Sequence, residues 1–265
     1  MLDRFDREIT YLRISVTDHC NVRCTYCMPA EGVPLKHHKD MLSFEDITEV
    51  TRAAVQLGIT KVRLTGGEPL VRRDIVTLVR MLADIEGLEH LAMTTNGSLL
   101  HRYAVPLREA GLHSLNISVD TLDPERYRTI TRVGDLDAAL RGVDAAIAAG
   151  FPIKINMVVG DDTSDREVRE MEAFCERKGL RLQLINHYSL DGAKRDDYEF
   201  SRPPKCDSCN RIRLLADGTL KPCLHTNNEM KVDLEHVQAS LMQTILAKPR
   251  RGAACTNRSM MEIGG

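Results

Sequence analysis

Tryptophan is absent from the chain, and five phenylalanines and six tyrosines are its only aromatics apart from histidine. That scarcity leaves function open. An excess of charge is also missing. Thirty-six basic residues face 38 acidic ones, for a formal net charge of −2. A general polyanion-binding protein is thereby excluded, and any anion site has to be local. No apolar run approaches the length of a membrane span, and the opening "MLDRFDREIT" has no signal-peptide core. The expected location is the cytoplasm, with no membrane or nucleic-acid partner. Internal repeats and low-complexity segments are lacking as well. Cysteine, by contrast, is present eight times. In a reducing compartment that number argues for metal or redox chemistry rather than disulfides. At 265 residues the chain suffices for one large α/β domain with an appendage.

Short strand-like runs alternate with helix-length amphipathic segments. The strand-like runs are "YLRISVT" (11–17), "KVRLT" (61–65), "LAMTT" (91–95), "SLNISVD" (114–120), "IKINMVV" (153–159) and "RLQLIN" (181–186). Residues 43–57, 72–85, 99–110, 136–149 and 165–178 read as helices. Ser43 and Asp46 form a capping-box pattern, and Gly58, Gly111, Gly150 and Gly179 stand where C-terminal caps belong. Such alternation implies parallel strands joined by crossover helices. After about residue 188 the chain turns polar and Cys-rich. The reading is a first domain over 1–188 and a separate C-terminal region over 189–265.

Strands of a parallel sheet covered on both faces are nearly all apolar. These alternate instead. Tyr11, Arg13, Ser15 and Thr17 oppose Leu12, Ile14 and Val16. Lys61, Arg63 and Thr65 oppose Val62 and Leu64. Asn116, Ser118 and Asp120 oppose Leu115, Ile117 and Val119, and Lys154 and Asn156 oppose Ile153, Ile155 and Met157. A sheet with one face in water would alternate this way, but the connections are too long and helical for it. A curved parallel sheet, closed or partly closed as a barrel around a polar cavity, fits better. Unpartnered Arg13, Lys61, Arg63 and Lys154 would be costly to bury, so an anionic ligand is expected there.

Two cysteine triads stand out. The first is C-x3-C-x2-C in "DHCNVRCTYCMP" (18–29), with Cys20, Cys24 and Cys27. The second is C-x2-C-x13-C, with Cys206, Cys209 and Cys223. Zinc is the competing occupant, but these spacings do not supply the paired C-x2-C of a closed tetrahedral site. Three thiolates can instead hold three irons of a cubane and leave the fourth open to a reacting ligand. Cys175, mid-helix, reads as a small buried hydrophobe, and Cys255 carries no assignment.

The first triad, with Tyr26 inside it and standing just after a strand, resembles the radical S-adenosylmethionine (SAM) signature. "TGGEP" (65–69), "TTNG" (94–97) and "SVD" (118–120) resemble further motifs of that superfamily. The whole chain is similar to the GTP 3′,8-cyclase (MoaA) family of molybdenum-cofactor biosynthesis, through "KVRLTGGEPLVRRD", "NISVDTLD", "CNRIRL" and the terminal "IGG". The resemblance implies a partial (β/α)6 TIM-like barrel with a small Cys-rich C-terminal lobe. It implies two [4Fe-4S] clusters, one on each triad, the first with SAM chelated to its open iron. Tyr26, Gly66, Gly67, Glu68, Ser118 and Tyr188 match SAM-site positions. Arg13, Arg63, Thr94, Lys154, Arg211 and Arg213 match GTP-contact positions, the guanine lying at the second cluster. Arg13 and the tail glycines Gly264 and Gly265 match residues at the reacting centre; a frayed terminus is the alternative for the tail. The implied activity is a lyase reaction that turns GTP into (8S)-3′,8-cyclo-7,8-dihydroguanosine 5′-triphosphate, after 5′-deoxyadenosyl radical attack at the ribose 3′ hydrogen. A flavodoxin or ferredoxin would donate electrons, and a homodimer is allowed.

The sequence departs from the family twice. Only seventeen residues separate Tyr188 from Cys206, where relatives carry several tens more. On the sixth strand, Gln183, Leu184, Ile185 and Asn186 replace an Arg-Phe-Ile-Glu-like run, and Tyr188 replaces a methionine. A related radical SAM enzyme acting on another nucleotide or a peptide, and a non-catalytic metal-binding protein, are the competing readings.

Overall fold

The structure is a computed structural model that describes residues 1–34, 37–192 and 194–264. Six strands and their helices follow the expected alternation. They are β1 (Tyr11–Ser15), α1 (Phe44–Gln56), β2 (Lys61–Thr65), α2 (Ile75–Ala83), β3 (His90–Thr95), α3 (Leu100–Glu109) and β4 (Ser114–Ser118). Then come α4 (Pro124–Thr131), α5 (Leu136–Ala148), β5 (Ile153–Val159), α6 (Asp165–Lys178) and β6 (Arg181–Asn186). Ser43 caps α1 through the expected capping box with Asp46, and Gly179 caps α6 in the left-handed region at φ 64°. Helix α4 has no counterpart in the periodicity reading. It is only 8 residues long and buries Tyr127 and Thr131 alone; Asp123 caps it and Pro124 opens it.

The strands form one sheet, in the order β6-β5-β4-β3-β2-β1 continued by β7 (Arg211–Leu214), β8 (Thr219–Lys221) and β9 (Met230–Lys231). Strand β7 pairs parallel with β1; β8 and β9 complete an antiparallel meander. The sheet is therefore open, with β6 and β9 at its edges. Its concavity follows from what it encloses: residues of every strand from β1 to β7 line one cavity.

The apolar halves of the strands face the helices. Leu12, Ile14, Val62, Leu64, Leu115, Ile117 and Ile155 are fully buried in one core with Val50, Leu78, Leu107 and Val143 of α1, α2, α3 and α5. Each such side chain contributes roughly 1.5–3 kcal/mol by leaving water. Cys175 joins this core as expected. The Cys-rich region after residue 188 is attached through the sheet itself. Ile212, Leu214 and Leu220, with Leu241 and Ile245 of α7 (Val237–Leu246), belong to the same core. A second small cluster holds Leu190, Leu215, Cys255 and Ile263 under the chain's end.

Candidate functional site

Register decides what the cavity sees. Arg213, Arg13 and Arg63 are partners across β7, β1 and β2, and Arg211, Tyr11 and Lys61 form the row below. Facing side chains in register share one side of the sheet. Asn116 pairs with Lys154 and Asn156 with Gln183 farther along. All of these line the cavity, together with Thr94 and Ser118. The alternation read from the sequence thus gathers the expected anion-binding residues on one inner surface.

Among the described residues, Arg13, Lys61, Arg63, Lys154, Arg211 and Arg213 have no carboxylate within ion-pair distance. Arg63 donates through Nε to the Tyr11 hydroxyl at 2.7 Å and through Nη1 to the Met93 carbonyl at 3.2 Å. Lys61 and Arg211 both lie over the Tyr11 ring. Burial raises the Tyr11 phenol, but Arg63, Arg13 and Arg211 outweigh it and bring it down to about 8. Burial, then repulsion from Arg213, pushes the Arg13 guanidinium down to about 9, so it stays charged at neutral pH. The Nε atoms of Arg13 and Arg211 are buried with no hydrogen-bond partner. Buried cations left in this state are stabilised by an anion.

The triads sit at opposite ends of the strands. Cys20, Cys24 and Cys27 follow the C-terminal end of β1. Cys209 precedes β7, whose Arg211 pairs with Tyr11 at the N-terminal end of β1. About 3.3 Å per residue along β1 separates the two ends. All six are free thiols and all line the cavity. Among the described residues, no three His, Cys, Asp or Glu side chains gather closely enough to hold one metal ion. Thiolates that each bind a separate iron of a cluster need no such convergence, so the donor set fits a [4Fe-4S] group on each triad.

The loops around the first triad interlock. Gly67 N–H donates to the Thr17 carbonyl and Glu68 N–H to the His19 carbonyl, each at 2.8 Å. A Cβ on Gly67 would lie 2.2 Å from the His19 oxygen, and one on Gly66 2.5 Å from that of Thr17. These glycines are required by backbone packing on backbone, in addition to any ligand that approaches. Glu68 lies beneath the loop. Its carboxylate accepts from Thr95 Oγ1, Asn96 N–H and Leu70 N–H, and burial raises it to about 7. It shapes the glycine loop expected at the SAM site and does not itself line the cavity. Tyr26 donates to Asp120 at 2.6 Å, and Asp120 also accepts from Val158 N–H, which ties the cysteine loop to β4 and β5. Tyr188 lines the cavity with its ring 5.5 Å from that of His225.

Cys209 differs electrostatically from Cys223 of its own triad and from the first triad, where burial raises the thiols. Burial raises Cys20 to about 11 and Cys24 to about 12, with Glu68 and Asp120 adding to it respectively. Burial also raises Cys209, but Lys248 and Arg211 outweigh it and leave the thiol lowered. Lys248 is fully enclosed. Its ammonium donates to the Arg211 carbonyl at 2.7 Å, the Pro222 carbonyl at 3.0 Å and the Cys209 sulfur at 3.4 Å. His225, two residues after Cys223, is 1 % exposed, and neither ring nitrogen makes a well-formed hydrogen bond. Burial, Lys194 and Arg213 push its imidazole down to about 4. Sequence reasoning missed both residues. They come from irregular segments, where no periodicity says which way a side chain points.

The tail is held as far as Gly264. Arg13 Nη2 donates to the Gly264 carbonyl at 2.8 Å and Arg213 Nη1 to the Ile263 carbonyl at 3.1 Å. Gly264 takes a left-handed φ of 75° against Thr65, where a Cβ would lie 2.2 Å from the hydroxyl. Arg258 anchors the approach on Glu229 and Asp217. A frayed tail is not what these contacts describe. Gly265 lies outside the described residues.

Comparison with known proteins puts this arrangement in a class. The radical SAM superfamily matches residues 14–175, and the fold is similar to that of Streptococcus suis SuiB bound to S-adenosylmethionine. That likeness has a TM-score of 0.69 at 16% identity, over 91% of this chain and 64% of that one. The structure titled native anSMEcpe with bound AdoMet gives 0.65 at 17% identity, over 91% and 81%. A GTP 3′,8-cyclase of Alkaliphilus oremlandii is 40% identical over the full length of both chains, and one of Geobacter sulfurreducens 39% identical over 100% and 99%. The chain belongs to the radical SAM superfamily and, within it, to the family of GTP 3′,8-cyclases. The first alignment spans 320 positions against 265 residues here, so at least 55 positions of that relative have no counterpart. No described helix is long and apolar enough to cross a membrane.

Proposed function

We propose that the chain converts GTP to (8S)-3′,8-cyclo-7,8-dihydroguanosine 5′-triphosphate, with Cys20, Cys24 and Cys27 holding one [4Fe-4S] cluster and Cys206, Cys209 and Cys223 a second. One observation carries the reading: cations with no carboxylate partner among the described residues line the surface between the two triads in a single cavity. When bound, the first cluster with SAM supplies the one-electron chemistry of the family.

The protein's own part is binding and placement. Gly66, Gly67, Ser118, Tyr26 and Tyr188 shape the SAM end, with Glu68 supporting from below. Arg63, Lys154, Arg211, Arg213 and Thr94 offer charge-assisted donors to a nucleotide. Arg13, joined to the Gly264 carbonyl, and the tail up to Gly264 close the reacting end. The thiols of the second triad border Arg211, so a purine there would have its phosphates within the arginine rows. An external donor such as flavodoxin or ferredoxin, and a homodimer, belong to this reading.

The test is anaerobic. Reconstituted protein, reductant, SAM and GTP should yield 5′-deoxyadenosine and a cyclised nucleotide of unchanged mass with altered retention. Formation of 5′-deoxyadenosine without that product would leave a radical enzyme of another substrate, nucleotide or peptide. Bound zinc with no SAM binding would favour a non-catalytic metal protein.

A further inference from the structure

Strand β6 brings no cation to the cavity. Gln183 faces it with a neutral amide, whose Nε2 donates to Asn156 Oδ1 at 2.9 Å. The cation on this side comes from the connection that follows. Arg202 lines the cavity with Lys154, Arg63 and Arg211, is half-buried, and has no carboxylate within ion-pair distance among the described residues. Burial, with repulsion from Arg211 and Arg63, holds its guanidinium below the usual arginine range, and Lys154 is lowered in turn by burial and by Arg202.

Arg202 is held there by the last residue of β6. Asn186 Nδ2 donates to the Phe200 carbonyl at 3.0 Å and also to the Arg202 carbonyl. Its Oδ1 accepts from Phe200 N–H at 3.2 Å, and its own N–H donates to the Arg202 carbonyl at 3.0 Å. A single amide therefore satisfies both senses of hydrogen bond on the connection. A carboxylate at 186 could only accept, and would face two carbonyl oxygens. Asn186 and Arg202 thus read as one device: a short connection folded back onto β6 so that its arginine enters the anion site.

We propose that Arg202 contacts the phosphate chain of the bound nucleotide and that Asn186 is the residue that positions it. This rests on the nucleotide reading above. A half-buried arginine that meets no acid among the described residues is suited to a phosphate oxygen, which its planar fork can engage in two hydrogen bonds.

The experiment is titration calorimetry of the anaerobically reconstituted protein with GTP and with GMP, at two salt concentrations. Arg202→Gln should weaken GTP by about tenfold, the loss of one charge-assisted contact, while GMP changes less than GTP. The salt dependence of GTP affinity should fall in the same variant. Asn186→Asp should weaken GTP similarly, and the double variant should be no weaker than Arg202→Gln alone, because both act through one contact. Arg202→Lys should retain part of the affinity. Iron content and circular dichroism matching the wild type exclude misfolding. GTP binding unchanged in Arg202→Gln, or GTP and GMP weakened equally, overturns the assignment. A wild-type protein that binds no GTP overturns the nucleotide reading first and this inference with it, an outcome distinct from a tight-binding wild type with an indifferent Arg202.

Discussion

Lys248 is a fully buried cation whose ammonium is spent on two carbonyls and one cysteine sulfur. Gly252 N–H points at a second sulfur, that of Cys206, at 3.5 Å. Hydrogen bonds and charge near the sulfurs set the potential of an iron–sulfur centre. Lys248→Met should therefore shift the second centre's midpoint potential negative, on the order of tens of mV, in a redox titration followed by electron paramagnetic resonance. Lys248→Arg should shift it less. An unchanged potential at full iron content would mean that Lys248 only fills space. At this scale, legibility followed periodicity. Arg13, Arg63 and Lys154 were readable as cavity residues because strands alternate, whereas Lys248, His225 and Arg202 lie outside strands. Glu68 was readable as part of the SAM-site loop, but its role beneath that loop depends on three donors that only the folded backbone brings together.

At the scale of elements, the site depends on two loops that share backbone hydrogen bonds. Residues 17–20, at the first triad, lie against the glycine turn after β2. Gly67→Ala should destabilise the fold by about 1–3 kcal/mol, the usual range for forcing extra atoms into a packed place. It should also lower iron at the first triad while sparing the second. Urea denaturation and iron analysis check both; equal iron loss from the two sites would show that the loops are not independent. Most of β1–β6 and their helices were visible in the sequence, since each carries its own pattern and cap. Strand β7 was not read as a strand, although "CNRIRL" stood out as a motif. It is 4 residues long and pairs with a strand some two hundred positions earlier. No local signal names so distant a partner. Helix α4 escaped because too few apolar positions declare its period.

At the scale of the molecule, the sheet does two things with one alternating pattern. Its apolar side packs the helices, and its polar side carries cations from a thiol triad at one end of β1 to another at the opposite end. The C-terminal region completes this surface: β7 extends the arginine rows, α7 joins the core, and the tail returns to Arg13 and Arg213. A change of composition near residue 188 was legible, and the family resemblance put the tail glycines beside Arg13; the pairing of β7 with β1 was not legible, since it needs the sheet order to bring the C-terminal region to the first strand. In the proposed function the cavity holds SAM and GTP at once, with the ribose presented to the first triad. The direct measurement is isotope transfer. GTP carrying deuterium at C3′ is turned over anaerobically with SAM, and the 5′-deoxyadenosine formed is weighed by mass spectrometry. One deuterium is expected in that 5′-deoxyadenosine; unlabelled 5′-deoxyadenosine formed beside intact GTP would rule out hydrogen abstraction from the ribose in this cavity.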